Sequence, residues 1–258
     1  MFGRVWSKVW PRAAIVAAIL FVWWAVYETG VIEPDKLPSP ADVWNAFTTN
    51  LTGEDGLLAA ARGSIVRLAL TLGVALIVGT LIGIAMAASR VTQRSIGTLM
   101  TGLQALPPIA WLPLAILWLG FTERAVMFVV IIGAVPAIAI GTAAAVRQVP
   151  PMLIRAGRTL GASGWTMYRT VILPAAVPGY WIALQQAWAV AWRALLAAEL
   201  IRTGLARGLG HLLDSSQGDP ALILATMAVI VVIGLAVDYL FAVVDRRIRS
   251  RRGLLVEA

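Results

Sequence analysis

Six stretches of this chain carry no charged residue: 13–27, 68–88, 95–122, 125–146, 170–192 and 220–237. Short charged segments separate them, and a run of about 20 apolar residues is what an α-helix needs to cross a hydrocarbon core roughly 30 Å thick. Four reach that length unaided; the first and last reach it with Val9, Trp10 and the apolar residues of 240–244. Composition points the same way. Of the 258 residues 60% are hydrophobic and 13% charged, against roughly 45–50% apolar and 25% charged in soluble domains, so the excess has to be solvated by lipid tails. The expected fold is an all-α polytopic membrane protein, one domain over 1–258, with six transmembrane helices at about 9–27, 65–88, 99–119, 125–146, 171–192 and 220–244.

The net charge of +8 acquires meaning from where the charges lie. Fourteen Lys and Arg fall on one side of the alternating spans, among them Arg4, Lys8, Arg12, Arg94, Arg147, Arg251 and Arg252. The other side holds seven, including Arg62, Arg67, Arg193, Arg202 and Arg207, together with ten of the thirteen acidic residues. The positive-inside rule then puts both termini in the cytoplasm, and no nucleic-acid partner is needed to explain the basic balance. A basic start before a short apolar run also describes a signal peptide. Here the run ends in Trp23, Trp24, Val26 and Tyr27 with no small-residue cleavage pattern; Trp and Tyr at a span's edge form an interfacial belt, and the first helix is expected to stay attached.

Catalysis finds few materials. There is no cysteine, which excludes disulfides, thiolate metal sites and thiol catalysis. The single histidine, His211, has only Asp214, Ser215 and Ser216 beside it in one loop, without the convergent geometry of a triad or the ligands of a metal site. No GxxxxGK[ST] loop exists, and Lys8 and Lys36 are the only lysines, so a phosphate-cradling ATP site of that type is absent. An ion-coupled carrier needs ionisable groups inside the membrane, yet no acidic residue lies within the predicted spans before Asp238; it and Arg67 fall near span ends, where snorkelling is cheap. The interior polar groups are Gln104, Gln185 and Gln186, with Arg193 and Glu199 just past the fifth span.

Several segments carry two readings each. Ala75, Gly79, Gly83 and Ala87 recur every fourth residue in the second span, as do Gly133, Ala137, Gly141 and Ala145 in the fourth; such stripes let transmembrane helices approach closely, or they line a ligand path. Pro107, Pro108 and Pro113 interrupt the third span beside Trp111. Each proline removes a backbone donor, and helices broken in this way sit against protein or a water-filled cavity, so the third span either lines a translocation path or kinks for packing alone. Gln185 and Gln186 bind a polar solute or bond between helices. Outside, residues 41–50 follow the turn-rich Leu37-Pro38-Ser39-Pro40 and predict a short helix on the membrane surface.

The inner loop 147–170 predicts an amphipathic cytoplasmic helix over 151–168. Leu153, Ala156, Leu160, Gly164 and Tyr168 recur at helical spacing, with Arg155 and Arg158 off that stripe. It is either a surface-lying helix or a docking surface for a soluble partner. The run Ala156-Gly157-x-x-x-Gly161, followed after nine residues by Val171-x-Leu173-Pro174, resembles the EAA loop of permease subunits in binding-protein-dependent ABC importers, whose pattern is Glu-Ala-Ala-x-x-x-Gly, nine residues, then Ile-x-Leu-Pro. Arg155 stands where that family has Glu and Gly157 where it has the second Ala. Leu37-Pro38-Ser39-Pro40, residues 106–114, residues 118–123, the run Arg158 to Ser163 with Ala162, and Ala197-Ala198-Glu199-Leu200 are similar to the branch that handles nitrate, sulfonates and taurine.

The resemblance implies an importer subunit of the cytoplasmic (inner) membrane, moving a small solute, such as a sulfonate, taurine or nitrate, by alternating access. Arg155, Ala156, Gly157, Gly161, Ala162, Leu173 and Pro174 would form the coupling helix that seats on a cytoplasmic ATPase. Two such ATPases would hold the ATP and Mg, this chain holding no cofactor, with an extracytoplasmic solute-binding protein as a further partner; one chain of six spans is half of a pathway, which C2 symmetry would complete as a homodimer with a second permease copy, a heterodimer with another permease being the alternative. Gln104, Pro107, Pro108, Trp111, Pro113, Gln185, Gln186, Arg193 and Glu199 are the candidates for the path, Arg193 as the positive group for an anion. The alternatives are a permease of the same superfamily for another small solute and a self-contained secondary transporter.

Overall fold

The computed structural model describes residues 2–33, 35–201 and 207–250, apart from the side chains of 2–9 and 12. Arg202, Arg251 and Arg252 of the charge count lie outside the described residues, as do the side chains of Arg4, Lys8 and Arg12. The regular structure of the described part is helical throughout, and it covers the six uncharged stretches apart from 106–107 and 120–122. Among the described residues three helices are individually long and apolar enough to cross a membrane, or four if one bent pair counts as a single span.

α1 (Phe2–Glu28) leads through a loop to α2 (Pro40–Thr49), which starts where Ser39 predicts. The Ser39 hydroxyl accepts from the Asp42 N–H, and the Asp42 carboxylate accepts from the Ser39 N–H in return. Reciprocal bonding of this kind satisfies two donors that a helix start leaves open. α2 lies against the last helix, and the Trp23 indole N–H reaches back to the Pro38 carbonyl at 3.1 Å.

α3 (Leu57–Ala88) and α6 (Glu123–Arg147) run side by side in the same direction, and α9 (Leu173–Leu200) lies antiparallel to both. Their seams are the small-residue stripes. A methyl on Gly79 would lie 2.7 Å from Cβ of Ile138, and one on Gly83 2.5 Å from Cβ of Thr142. On the other side of α6, Gly141 meets Ala183, and Gly179 meets Ala145. Only residues without large side chains allow backbones this close, and in lipid such contact is what holds helices together. Ala75, Val130, Ala134, Ala139, Ala187, Ala191 and Leu195 fill the interior between them. α11 (Pro220–Ser250) covers α9, with the Trp181 indole donating to the Phe241 carbonyl at 3.1 Å and its ring against Phe241. Most of the outer face of α11 is apolar and exposed, as a lipid-facing helix requires.

Three predicted boundaries are corrected. The third span is no single element over 99–119: α4 (Arg90–Ala105) begins nine residues earlier, because the Ser89 hydroxyl caps it by accepting from the Thr92 N–H. It ends before Pro107, and a 3₁₀ turn (Pro108–Trp111) with α5 (Leu112–Leu119) leaves at an angle of 94°. The helix over 171–192 does not stop at 192 but continues to Leu200. Finally, 151–168 is two helices, α7 (Pro151–Thr159) and α8 (Gly164–Met167). α10 (Leu209–Ser215) packs against both α9 and α11.

Candidate functional site

The break after α4 opens a cavity of about 480 Å³ between α4, the 3₁₀ turn, α6 and α9. Gln104, Pro107, Pro108, Trp111 and Arg193 line it together, five of the nine path candidates, and Gly133 forms part of its wall. Gly133 is held against Pro108: a methyl there would come within 2.7 Å of the proline ring. The stripe on α6 therefore serves both readings, close packing along most of its length and a cavity wall at this end.

The chemistry of the break follows from its two prolines. In an α-helix the carbonyl of residue i accepts from the N–H of i+4, and for Leu103 and Gln104 those residues are Pro107 and Pro108, which have no N–H. The donors that would continue the ladder past Leu103 and Gln104 are thus missing, and α4 ends there, beside the cavity. Across it stands Arg193 of α9, exposed to the opening and without a carboxylate partner among the described residues. A lone guanidinium among apolar helices is costly unless it faces water or a counter-ion.

The remaining path candidates fall elsewhere. Pro113 and Gln186 are exposed on α5 and α9, and Gln185 is half-buried, all outside the cavity. Glu199 is enclosed instead. Its carboxylate accepts from the Ser64 hydroxyl at 2.8 Å and the Gly210 N–H at 3.1 Å and forms an ion pair with Arg67, which also reaches Glu123 at 3.2 Å. Ser64 in turn accepts from the Leu209 N–H at 2.9 Å. Arg67 is only 6% exposed, so it does not snorkel to an interface; the carboxylate on the extended α9 draws it inward. This cluster ties α3, α6, α9 and α10 together at one end of the bundle. A pairing across 132 residues leaves no local signal in the sequence.

At the opposite end the coupling-loop candidates share one short segment. Gly161 follows α7 with φ +84°, and two backbone bonds close the helix around it: the Gly161 N–H to the Arg158 carbonyl and the Ala162 N–H to the Gly157 carbonyl, each 2.9 Å. That is the Schellman arrangement, for which glycine is the favoured residue because it alone adopts the left-handed conformation without strain. Gly157 is buried, and a methyl on it would lie 2.9 Å from a Val171 methyl and 3.2 Å from the Met167 side chain, so the position where the EAA pattern has alanine is here filled to contact. Arg155 and Ala156 are exposed on the other face of α7.

From α8 the chain passes through a π-turn (Tyr168–Ile172) into α9, the Leu173 N–H bonding to the Tyr168 carbonyl five residues back. Pro174, which has no N–H, cannot serve the Thr170 carbonyl, and the wider turn absorbs the mismatch. Met152, Leu153, Leu160 and Trp165 all stand out from this segment, Leu160 87% and Trp165 73% exposed. Met152 and Trp165 lie outside the periodic stripe of the sequence, Trp165 on the separate helix that follows the break at Gly161.

Comparison with known proteins is consistent with this arrangement. Residues 75–250 match the family model described as "Binding-protein-dependent transport system inner membrane component". The taurine transport system permease protein TauC of Escherichia coli (strain K12) is 31% identical, over 92% of this chain and 88% of that protein. The nitrate import permease protein NrtB of Synechocystis sp. is 28% identical, over 93% of this chain and 90% of that protein. Among solved structures, an inward facing conformation of the MetNI methionine ABC transporter superposes with a TM-score of 0.61 at 20% identity, covering 76% of this chain and 99% of that one.

Proposed function

Because the chain belongs to the family of binding-protein-dependent transport system inner membrane components, a multi-pass membrane permease whose ATPase is a separate subunit, we propose that it imports a small anionic solute of the sulfonate, taurine or nitrate kind. The observation that carries the substrate class is Arg193, a guanidinium facing a cavity at a broken helix with no carboxylate partner among the described residues. In this reading the chain crosses the membrane six times with both termini in the cytoplasm, and two copies enclose the path between them, a C2 pair being the commonest closed arrangement. An extracytoplasmic binding protein delivers the solute.

The exposed Met152, Leu153, Leu160 and Trp165, flanked by Arg155 and Arg158, form the surface on which each of two ATPases docks. ATP and Mg reside on those partners. ATP binding favours one of two permease states differentially and so shifts their populations, the bias passing through α7 and α8. Uptake of a labelled sulfonate, taurine and nitrate by cells lacking the gene, then restored with wild type or with Arg193→Gln, tests the proposal. Loss of one solute on deletion, regained with wild type and not with Arg193→Gln, is expected. Uptake independent of Arg193 would remove the anion reading, and uptake independent of any ATPase would favour a self-contained carrier.

A further inference from the structure

At the end of the bundle from which α7 follows, a second cavity of about 750 Å³ opens between α4 and α6. Arg94 on the first turns of α4 and Arg147, the last residue of α6, both line it. Each is exposed, neither has a carboxylate partner among the described residues, and no carboxylate lines the cavity. We propose that this cavity is a lipid site: the two guanidinia hold the phosphate of an anionic glycerophospholipid, and the trough below them takes one of its acyl chains. The proposal does not depend on which solute the chain carries.

Depth and shape favour lipid over a dissolved anion. Arg94 immediately precedes the uncharged run 95–122, and Arg147 immediately follows 125–146. Both guanidinia therefore stand where hydrocarbon gives way to headgroups, the level to which a long basic side chain snorkels. From there the cavity follows α4 as far as Ala105. The rise from Arg94 to Ala105 is about 16 Å at 1.5 Å per residue, close to half of a hydrocarbon core roughly 30 Å thick and so to the depth of one leaflet. Over that distance the walls lose their charge. Gly97 and Gly102 leave α4 bare, a methyl added to Gly102 meeting nothing within 4 Å, while Met86, Ile140, Ala143 and Ala144 line the cavity from α3 and α6. The two hydroxyls in the trough are already engaged, Thr98 donating to the Arg94 carbonyl at 2.6 Å and Thr101 to the Gly97 carbonyl at 2.9 Å, so neither has a proton to offer a dissolved solute. The headgroup class follows from the charges: a guanidinium fork matches phosphate oxygens, two cations between helices at this depth suit an anionic lipid, and a choline or ethanolamine cation would find no carboxylate here. Ala105 also lines the cavity at the break, so the acyl chain ends against the wall of that cavity.

The test places the purified full-length chain in phosphatidylcholine nanodiscs with phosphatidylglycerol that carries a photoactivatable group at the end of one acyl chain. Mass spectrometry reads which residues are labelled as the mole fraction of that probe rises. Labelling within 97–105 and 140–144 is expected to saturate, and a phosphatidylcholine probe with the same chain is expected not to label those segments saturably. Arg94→Gln and Arg147→Gln are each expected to raise the half-saturating mole fraction about fivefold, and the two together about thirtyfold, the scale of one basic side chain at an anionic surface taken once and twice. Gly102→Leu, which keeps both charges and fills the trough, is expected to lower the labelling at saturation severalfold.

Equal labelling by the two probes would overturn the lipid site, as would a half-saturating fraction indifferent to both arginines. Labelled inorganic phosphate is the control for a dissolved anion. If it binds saturably in phosphatidylcholine nanodiscs, is lost from Arg94→Gln/Arg147→Gln and is untouched by Gly102→Leu, while the lipid probes show no preference, the guanidinia serve a dissolved anion and the proposal falls. Gly102→Leu leaves the arginines in place, so a charge variant that fails to fold still leaves the question decided: labelling unchanged by Gly102→Leu would overturn the trough.

Discussion

Gly83→Ala and Gly73→Ala are the same chemical change on one helix, ten residues apart, and the structure expects them to differ. At Gly73 an added methyl meets nothing within 4 Å. At Gly83 it would lie 2.5 Å from Cβ of Thr142 and 2.6 Å from the Ala139 carbonyl oxygen. Carbon atoms in good contact sit about 3.5–4.0 Å apart, so α3 and α6 would have to separate by about 1 Å, and the obstacle is backbone that no rotamer change can move. Alanine gains about 0.8–1 kcal/mol over glycine in a helix interior, a term common to both variants. The difference between them therefore isolates the overpacking cost, about 1–3 kcal/mol. Thermal unfolding of the two purified proteins in the same nanodiscs reads it as a gap of roughly several degrees, with Gly73→Ala the more stable. If Gly83→Ala melts at or above Gly73→Ala, the seam between α3 and α6 has been drawn along the wrong stripe.

Other variants probe the remaining features. Glu199→Ala leaves the buried Arg67 guanidinium only its bond to the half-exposed Glu123 and is expected to cost about 3–5 kcal/mol, whereas Arg67→Met combined with Glu199→Met costs less, because no buried unpaired charge remains; equilibrium unfolding of both decides it. Arg207→Ala removes ion pairs to Glu54 and Asp55 that stand largely in solvent and is expected to change stability by no more than about 1 kcal/mol in the same assay. Gly161→Val forces a β-branched residue into the left-handed region at a cost of at least about 1–2 kcal/mol. It should reorient α8 against α7 and abolish copurification of the ATPase while the chain still reaches the membrane; retained copurification and uptake would show that the turn is not part of the docking surface.

What the sequence made legible has a common physical basis. Spans follow from the length of uncharged chain, stripes from four-residue spacing, and the break in the third span from two consecutive prolines; each is a local pattern that the backbone must obey. Gly161 is similar, since a helical period followed by glycine is a stop signal, although the apolar spacing through Tyr168 argued for one continuous helix. What stayed hidden depends on groups distant in sequence. Arg67 reads as an interfacial arginine until Glu199 is brought to it, and α9 reads as ending at 192 because Arg193 and Glu199 resemble the edge of a span. Both are tolerated inside the bundle for different reasons, one facing a cavity and the other neutralised by a partner. The early start of α4 was masked by its polarity: with Gln93, Arg94, Ser95 and Thr98 on its first turns, hydropathy assigns those turns to a loop.

The passage from α8 through the π-turn into α9 makes residues 164–200 one continuous rod, roughly 55 Å long at 1.5 Å per residue. One end carries Trp165 and the other is moored by Glu199. Ala183, where the rod touches Gly141 of α6, lies close to its midpoint. Trp165 and Glu199 are therefore joined by unbroken helical backbone, seamed to α6 at both Gly141–Ala183 and Gly179–Ala145. The prolines that widen its first turns set the angle at which the rod leaves the loop.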